Sequence, residues 1–214
     1  MNAQTERVLL AGPDAGQTIE CAIDQAADGE AALRGVAVLA HPHPLFGGTM
    51  DNKVVQTMAR AFVLMNYRVV RFNFRGVGAS TGTHDEGRAE ALDLQAVVAA
   101  HRLPGRPLAL GGFSFGAYVT TLAAQALTAA GHGAERLLLV GPSTQRATPA
   151  PVPADTIVIH GETDDVVPLS ATLDWARPQH LAVTVMPGVG HFFHGQLPQL
   201  RQLILQSWTG QRPA

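Results

Sequence analysis

A serine at position 114 lies at the centre of the pentapeptide G-F-S-F-G, residues 112–116. The apolar run 108–110 before it predicts a buried strand, and the small residues after it predict a helix. This pattern predicts a nucleophile elbow, the sharp strand-to-helix turn with the motif G-x-S-x-G. Gly112 and Gly116 suit such a turn, because a side chain at either position would collide with neighbouring backbone. The turn would hold Ser114 in a sparsely populated backbone conformation, with its hydroxyl above the sheet.

A serine hydroxyl is a weak nucleophile at neutral pH, so it needs an adjacent base that a carboxylate orients. Two later loops supply such groups, one after a predicted strand that ends at His160 and one after a predicted strand that ends at Met186. The candidate acids are Glu162, Asp164 and Asp165, and the candidate bases are His191 and His194. Together with the serine, these residues predict a catalytic triad.

Two other functions fit parts of the same pattern. Histidines near predicted strand ends could hold a metal ion, and residues 41–43, H-P-H, have the spacing of a chelating pair. These histidines are His41, His43, His160, His191 and His194. A metal enzyme would have no use for the elbow, however, so neither a metal nor another cofactor is expected. A catalytically silent binding module would lack a triad member, and none is missing from this sequence.

Strands that alternate with helices position these loops. After an edge hairpin at 8–11 and 18–23, the predicted strands are 35–40, 67–74, 108–110, 137–140, 156–160 and 181–186. The predicted helices are 51–65, 87–101, a run after the elbow to residue 124, 169–175 and 196–208. This alternation predicts an α/β fold, a mostly parallel sheet with helices on both faces. Since ligands on such sheets bind at the carboxyl ends of strands, the loops there should converge on one site.

Two segments give more detailed expectations. In the predicted helix 87–101, the apolar residues Leu92, Ala96 and Ala99 fall on one face.

The connection 141–155 holds four prolines and has no room for an inserted helical cap. We therefore expect the site to be open rather than covered by a lid.

Composition limits the class of protein. The 214 residues fit one domain, residues 1–214, with a substantial core. A net charge of −2 gives no reason to expect nucleic acid or an anionic membrane as a partner. No apolar run approaches the length of a membrane span, and residues 1–7 lack the layout of a secretory signal. The single cysteine, Cys21, excludes an internal disulfide and fits the cytoplasm. The sequence does not indicate an oligomeric state.

Five phrases together resemble the α/β-hydrolase superfamily, and within it the small lidless bacterial serine esterase-like hydrolases. They are H-P-H-P-L-F-G-G-T-M-D-N-K-V-V at 41–55, R-F-N-F-R-G-V-G-A-S-T-G at 71–82, G-G-F-S-F-G-A at 111–117, H-G-E-T-D-D-V-V-P at 160–168 and G-H-F-F-H-G at 190–195. The order serine, carboxylate, histidine is also the order of this fold. The resemblance implies an α/β-hydrolase fold with about eight strands and no cap domain.

The resemblance also selects among the candidate side chains. The family acid follows the pattern G-x-x-D-x-x-V-P, which matches residues 161–168 and selects Asp164 over Asp165. The family histidine follows a glycine, as His191 follows Gly190, which gives His194 a structural role. The implied triad is Ser114, His191 and Asp164.

An oxyanion hole is implied as well, built from two backbone N–H groups that face the developing negative charge. The first belongs to Phe115, the residue after the nucleophile, at a helix N-terminus where the dipole favours an anion. The second should come from the loop 41–49, in which the prolines at 42 and 44 have no N–H to offer. His43 and Leu45 remain as the nearest donors, and the sequence does not separate them.

These residues predict a serine hydrolase that cleaves small carboxylic esters through an acyl-enzyme intermediate, with a small-molecule ester as its partner. A dienelactone-hydrolase-like or acyl-transfer activity on the same triad is the alternative. We expect phenylalanines near the mouth to line the substrate pocket: Phe46, Phe113, Phe115, Phe192 and Phe193.

Overall fold

In the computed structural model, which describes residues 5–210, eight strands form one sheet in the order β1-β2-β4-β3-β5-β6-β7-β8. The strands are β1 (Thr5–Ala11), β2 (Thr18–Asp24), β3 (Gly35–Ala40), β4 (Tyr67–Phe72), β5 (Leu108–Phe113), β6 (Arg136–Val140), β7 (Ile157–Gly161) and β8 (Val183–Met186). The α-helices of this part of the chain are α1 (Lys53–Leu64), α2 (Arg88–His101), α3 (Phe115–Ala129), α4 (Leu169–Ala176) and α5 (Leu197–Thr209). The two ends of the predicted domain, 1–4 and 211–214, lie outside the described residues.

The strand pairing is mostly parallel. From β4 to β8 every neighbouring pair in the sheet is parallel, whereas β1 pairs antiparallel with β2, and β2 pairs antiparallel with β4. The predicted edge hairpin is therefore confirmed, and so is the predicted mostly parallel α/β sheet. Residues 141–156, between β6 and β7, contain no helix, and no cap domain covers the strand ends.

Helices cover both faces of the sheet because the central strands carry apolar side chains on both sides. On β3, Val36 and Val38 join the core under α2 and α3, whereas Ala37 and Leu39 join the core under α1 and α5. All six residues of β3 and of β5 are buried. Both strands end beneath the loops that the sequence analysis singled out, so a rigid core supports those loops. Within residues 5–210, no helix has the length and apolar character that crossing a membrane requires.

The predicted apolar face of α2 is wrong at two of its three residues, whereas Ala96 is half-buried and packs against the core under α2 and α3. Leu92 is 49% exposed and Ala99 is also exposed, because the opposite side of the helix packs on the sheet. The buried side includes Ala91, Leu94, Val97 and Val98, together with the acidic residues Glu90 and Asp93. Acidic residues are almost never fully buried unless they are paired. The sequence pattern does not show that Glu90 and Asp93 are paired, so it placed their side of the helix in the solvent.

Both buried acids of α2 have partners. Asp93 accepts two hydrogen bonds from the Arg75 guanidinium, at 2.7 and 3.0 Å, and one from the Gln17 amide at 2.9 Å. Glu90 accepts the backbone N–H groups of Asp85 and Gly87 at the start of the helix. The Arg75–Asp93 pair ties the loop after β4 to α2. Its loss would leave the buried Arg75 charge with only the exposed Asp14 carboxylate, at 3.2 Å, as a partner.

We therefore expect Asp93→Asn to lower the free energy of unfolding by about 3 kcal/mol, because the Arg75 charge would remain buried without its carboxylate. Urea unfolding followed by circular dichroism measures this change. The matched control is Asp174→Asn, which breaks the exposed Asp174–Arg177 pair and should cost less than about 1 kcal/mol. Equal losses in the two variants would show that burial does not make the Arg75–Asp93 pair important.

Candidate active site

Ser114 sits between β5 and α3 in a strained backbone conformation, with φ 56° and ψ −118°. The two glycines of the motif make this turn possible. A Cβ on Gly112 would lie 2.3 Å from the Gly116 carbonyl, and a Cβ on Gly116 would lie 2.4 Å from the carbonyl oxygens of Ala40 and His41. A positive φ is uncommon for a residue with a side chain and recurs at functional sites. The strand, turn and helix of an elbow are therefore present, with Ser114 at the apex.

Three side chains from separate loops form a hydrogen-bonded series at this turn. The Ser114 hydroxyl lies 3.0 Å from His191 Nε2, and His191 Nδ1 lies 2.6 Å from Asp164 Oδ2. Because a carboxylate only accepts, Nδ1 carries the proton, which leaves Nε2 of the neutral ring to accept from the serine. All three residues are buried, with Ser114 and Asp164 each 7% exposed and His191 2% exposed. The arrangement has the geometry of a nucleophile, a general base and an orienting acid.

Asp164 remains a carboxylate in this buried position. Burial alone would raise its pKa, but the hydrogen bond from His191 and the backbone N–H groups of Val167 and Val166 outweigh burial, so the pKa lies below its usual value. Those two N–H groups donate to Oδ1 at 2.7 and 2.9 Å. The acid can thus hold the imidazole and stabilise its charged form.

The other candidate acids and the second candidate base are not part of this series. Glu162 and Asp165 are exposed, and Glu162 instead accepts the backbone N–H of Gly188. His194 is exposed too, with its ring 5.8 Å from that of Phe192, so the structural role expected for it has no support from burial. Of the three candidate acids and two candidate bases, the structure therefore brings Asp164 and His191 into the hydrogen-bonded series with Ser114.

The backbone N–H groups expected to form the oxyanion hole differ in whether they already have an acceptor. Phe115 is the first residue of α3, where backbone donors have no intrahelical acceptor. In the loop 41–49, the Leu45 N–H already donates to the His43 side chain at 3.3 Å. The His43 N–H has no acceptor among residues 5–210. Of the two candidate donors that the sequence leaves open, His43 is thus the one whose N–H has no acceptor in this part of the chain.

His41 fixes this loop, a role that sequence reasoning missed. Its Nε2 accepts the Phe74 N–H at 3.0 Å, and its Nδ1 donates to the Pro42 carbonyl at 2.6 Å. The ring thereby joins the end of β3 to the loop after β4. Burial lowers the pKa of His41 to about 4, so the ring is neutral near pH 7. With both nitrogens engaged, His41 is not available to a metal, and the described residues contain no group of three or more metal-ligating side chains.

The aromatic lining differs from the prediction. Phe113 and Phe193 are fully buried and so have no surface to offer a substrate. Phe113 is the last residue of β5, and its ring packs beneath that of His191 at 4.8 Å, whereas Phe193 belongs to the core under α1 and α5. Phe46 is 73% exposed and Phe192 43% exposed. Leu45, considered above as a backbone donor, is exposed as well. We call the exposed side chains of Leu45, Phe46 and Phe192 the apolar rim.

Comparison with known proteins identifies the family. Along its whole length the chain is 36% identical to a lidless α/β serine hydrolase from Xanthomonas campestris, of which it covers 99%, with a TM-score of 0.86. An α/β serine hydrolase homologue from Coxiella burnetii is also 36% identical, over 94% of this chain and 96% of that chain, with a TM-score of 0.77. An uncharacterized Rickettsia prowazekii protein is 28% identical over 79% of this chain and 76% of its own length. No protein-family model matches the chain.

The chain belongs to the α/β serine hydrolases. The predicted lidless α/β-hydrolase fold is confirmed, and membership of the family supports hydrolase activity.

The neutral His41 ring should make stability depend on pH. Its pKa is about 4 in the folded state and about 6.5 when unfolded, so its contribution is complete above pH 6.5 and is lost as the pH falls toward 4. We expect this loss to reach about 3 kcal/mol in the wild type. Urea unfolding of wild type and His41→Gln, measured from pH 7 to pH 4, tests this expectation. The difference in the free energy of unfolding between wild type and His41→Gln should become smaller as the pH falls. A difference that stays constant with pH would contradict a neutral His41 ring.

Proposed function

We propose that the protein is a carboxylic ester hydrolase that works through an acyl-enzyme on Ser114. The observation that carries the proposal is the buried series Ser114–His191–Asp164, with its hydrogen bonds of 3.0 and 2.6 Å. The series lies at the carboxyl ends of parallel strands, where α/β proteins bind ligands. Family membership supports a hydrolase, and the arrangement of nucleophile, base and acid suits acyl transfer to water.

In the first half of the reaction, Ser114 Oγ bonds to the ester carbonyl carbon while His191 Nε2 accepts the hydroxyl proton. The carbonyl oxygen becomes an oxyanion, which accepts hydrogen bonds from the backbone N–H groups of Phe115 and His43. Asp164 stabilises the imidazolium that has formed. The tetrahedral intermediate then expels the alcohol, whose oxygen takes the proton from Nε2, and the acyl group remains on Ser114.

Water completes the cycle by the same route. His191 Nε2 accepts a proton from the water as its oxygen bonds to the acyl carbon, and the two N–H groups again hold the oxyanion. Collapse of this intermediate returns the proton to Ser114 Oγ and releases a carboxylic acid. One ester and one water thus give one alcohol and one acid, with no cofactor in the cycle.

The shape of the mouth favours a small ester. Leu45, Phe46 and Phe192 form a short apolar rim, and the helix-free connection 141–156 adds no cover. Such a rim can cover a few methylene groups. A longer acyl chain would leave its outer methylenes in water and would lose the roughly 0.8 kcal/mol that burial of each one provides.

The proposal is tested at the triad. Ser114→Ala should lower kcat about a thousand-fold or more on a nitrophenyl ester, since triad members act as a unit. Asp164→Asn should also be severely impaired, because the amide cannot hold the catalytic tautomer of His191. A fluorophosphonate label traced by mass spectrometry should modify Ser114 in the wild type.

Asp165→Asn is the matched control, since it makes the same change at the exposed neighbouring residue and should keep near wild-type kcat. Equal losses at positions 164 and 165, or Ser114→Ala with more than about a tenth of wild-type kcat, would refute the proposed mechanism.

Substrate size is the second expectation from this site. Across a series of nitrophenyl esters, kcat/KM should peak at acyl chains of about two to six carbons, because the rim buries few further methylenes. The rate should also show no activation at an oil–water interface. A maximum at about ten carbons or more would require an apolar tunnel or a mobile cover.

A further inference from the structure

A second histidine, His160, lies beside the acid of the proposed triad and has no role in the reaction described above. It is fully buried near the end of β7, four residues before Asp164. The backbone of Val167 joins the two residues. Its N–H donates to Asp164 Oδ1 at 2.7 Å, and its carbonyl accepts from His160 Nε2 at 2.9 Å. His160 therefore binds the same residue whose N–H binds the acid.

The hydrogen bonds fix the tautomer of His160. A carbonyl only accepts, so Nε2 must carry the proton that is donated to Val167. Nδ1 of the neutral ring is then an acceptor, and the Thr172 hydroxyl lies 3.2 Å from it. The Thr172 oxygen is in turn 3.3 Å from the Thr144 hydroxyl. The hydroxyl of Thr144 donates to Thr172, and the hydroxyl of Thr172 donates to Nδ1 of the ring. These bonds keep the Nε2–H directed at the Val167 carbonyl.

Two imidazole rings approach the same oxygen of the acid. Asp164 Oδ2 lies 2.6 Å from His191 Nδ1 and 3.4 Å from His160 Nε2. The side chains of Asp164 and His160 are both 0% exposed, so water does not screen this contact. The longer contact is the weaker one, but it withdraws part of the carboxylate charge that would otherwise face His191 alone.

Other groups packed around this cluster carry no charge. The elements beside it contribute Thr172 from α4, Thr144 from the connection after β6, and Phe113 and Ser114 from the elbow. Glu162 and Asp165, on the loop of the acid itself, are exposed to water. The titratable groups in direct contact here are therefore Asp164, His160 and His191.

We propose that His160 is a positioning residue, which acts through Asp164 and sets how strongly that carboxylate stabilises the His191 imidazolium. Its N–H holds the Val167 carbonyl in place and lies 3.4 Å from the Oδ2 atom to which His191 donates. The kinetic part of this inference rests on the proposed function, whereas the effect on His191 itself does not.

Two variants separate the hydrogen bond from simple packing. His160→Leu removes both ring nitrogens, and His160→Gln can place an amide N–H near the position of Nε2–H. Without that N–H, the full Asp164 charge faces His191 and favours its protonated form. We expect the midpoint of the acid limb of kcat/KM in His160→Leu to rise by about half a pH unit or more, with His160→Gln within about 0.2 of wild type.

A merely structural role would lower the rate at every pH and leave that midpoint where it is. An unchanged midpoint in His160→Leu would overturn the proposal, as would an equal rise in the Gln and Leu variants. If His160→Leu does not fold, Thr172→Val takes its place. Thr172→Val is nearly isosteric, removes the hydroxyl that holds Nδ1, and should move the midpoint in the same direction by a smaller amount. Where His160→Leu does not fold, an unmoved midpoint in Thr172→Val overturns the proposal.

A measurement without substrate separates this proposal from the esterase assignment. NMR titration of the His191 Cε1–H signal, assigned with His191→Gln, reports the same midpoint in the free protein. A shift in His160→Leu together with an active Ser114→Ala variant would refute the esterase mechanism and support the role of His160. If Ser114→Ala is inactive and the His191 midpoint does not shift in His160→Leu, the esterase mechanism is supported and the role of His160 is refuted.

Discussion

The backbone at Ser114 is the constraint on which the rest of the site depends. A positive φ at a residue with a side chain is tolerated because β5, α3 and the end of β3 hold it from three sides. Gly112 lets α3 start directly against its own strand, and Gly116 lets α3 touch the carbonyls of Ala40 and His41. The nucleophile, the helix N-terminus and the loop of His43 are therefore one rigid unit, and the buried strands beneath them supply the stability that the strained turn requires.

The acid and the base are held by a second close contact, between the loops after β7 and β8. A Cβ on Gly161 would lie 2.3 Å from the carbonyl oxygen of Val189, and the Thr163 N–H donates to that same oxygen at 3.0 Å. The two loops therefore cannot move independently, so the Asp164–His191 distance does not depend on the flexibility of either loop. Since a displacement of about 1 Å can cost about a hundred-fold in rate, such contacts matter as much as the reacting side chains.

Sequence patterns predicted the features that depend on local order. The elbow, the alternation of strands and helices, and the loops that carry Asp164 and His191 all follow from residue type and spacing, although the choice of Asp164 over Asp165 needed the family resemblance. Features that depend on distant partners were not predictable. The buried side of α2 contains Asp93, which is stable there because Arg75 reaches it from another loop. Phe193 turns into the core through a backbone with φ 53°, and residue type does not reveal that turn.

The helix-free connection between β6 and β7 has a consequence for what the acyl-enzyme meets. In the proposed mechanism nothing must open before the second substrate arrives, so the acylated Ser114 samples the surrounding solution directly. Water is the most abundant acceptor there, but a small alcohol or amine would reach the acyl carbon by the same path. The ratio of hydrolysis to acyl transfer is then set by the concentration and nucleophilicity of each acceptor. In the proposed mechanism, hydrolysis and transfer are then two outcomes of the same acyl-enzyme.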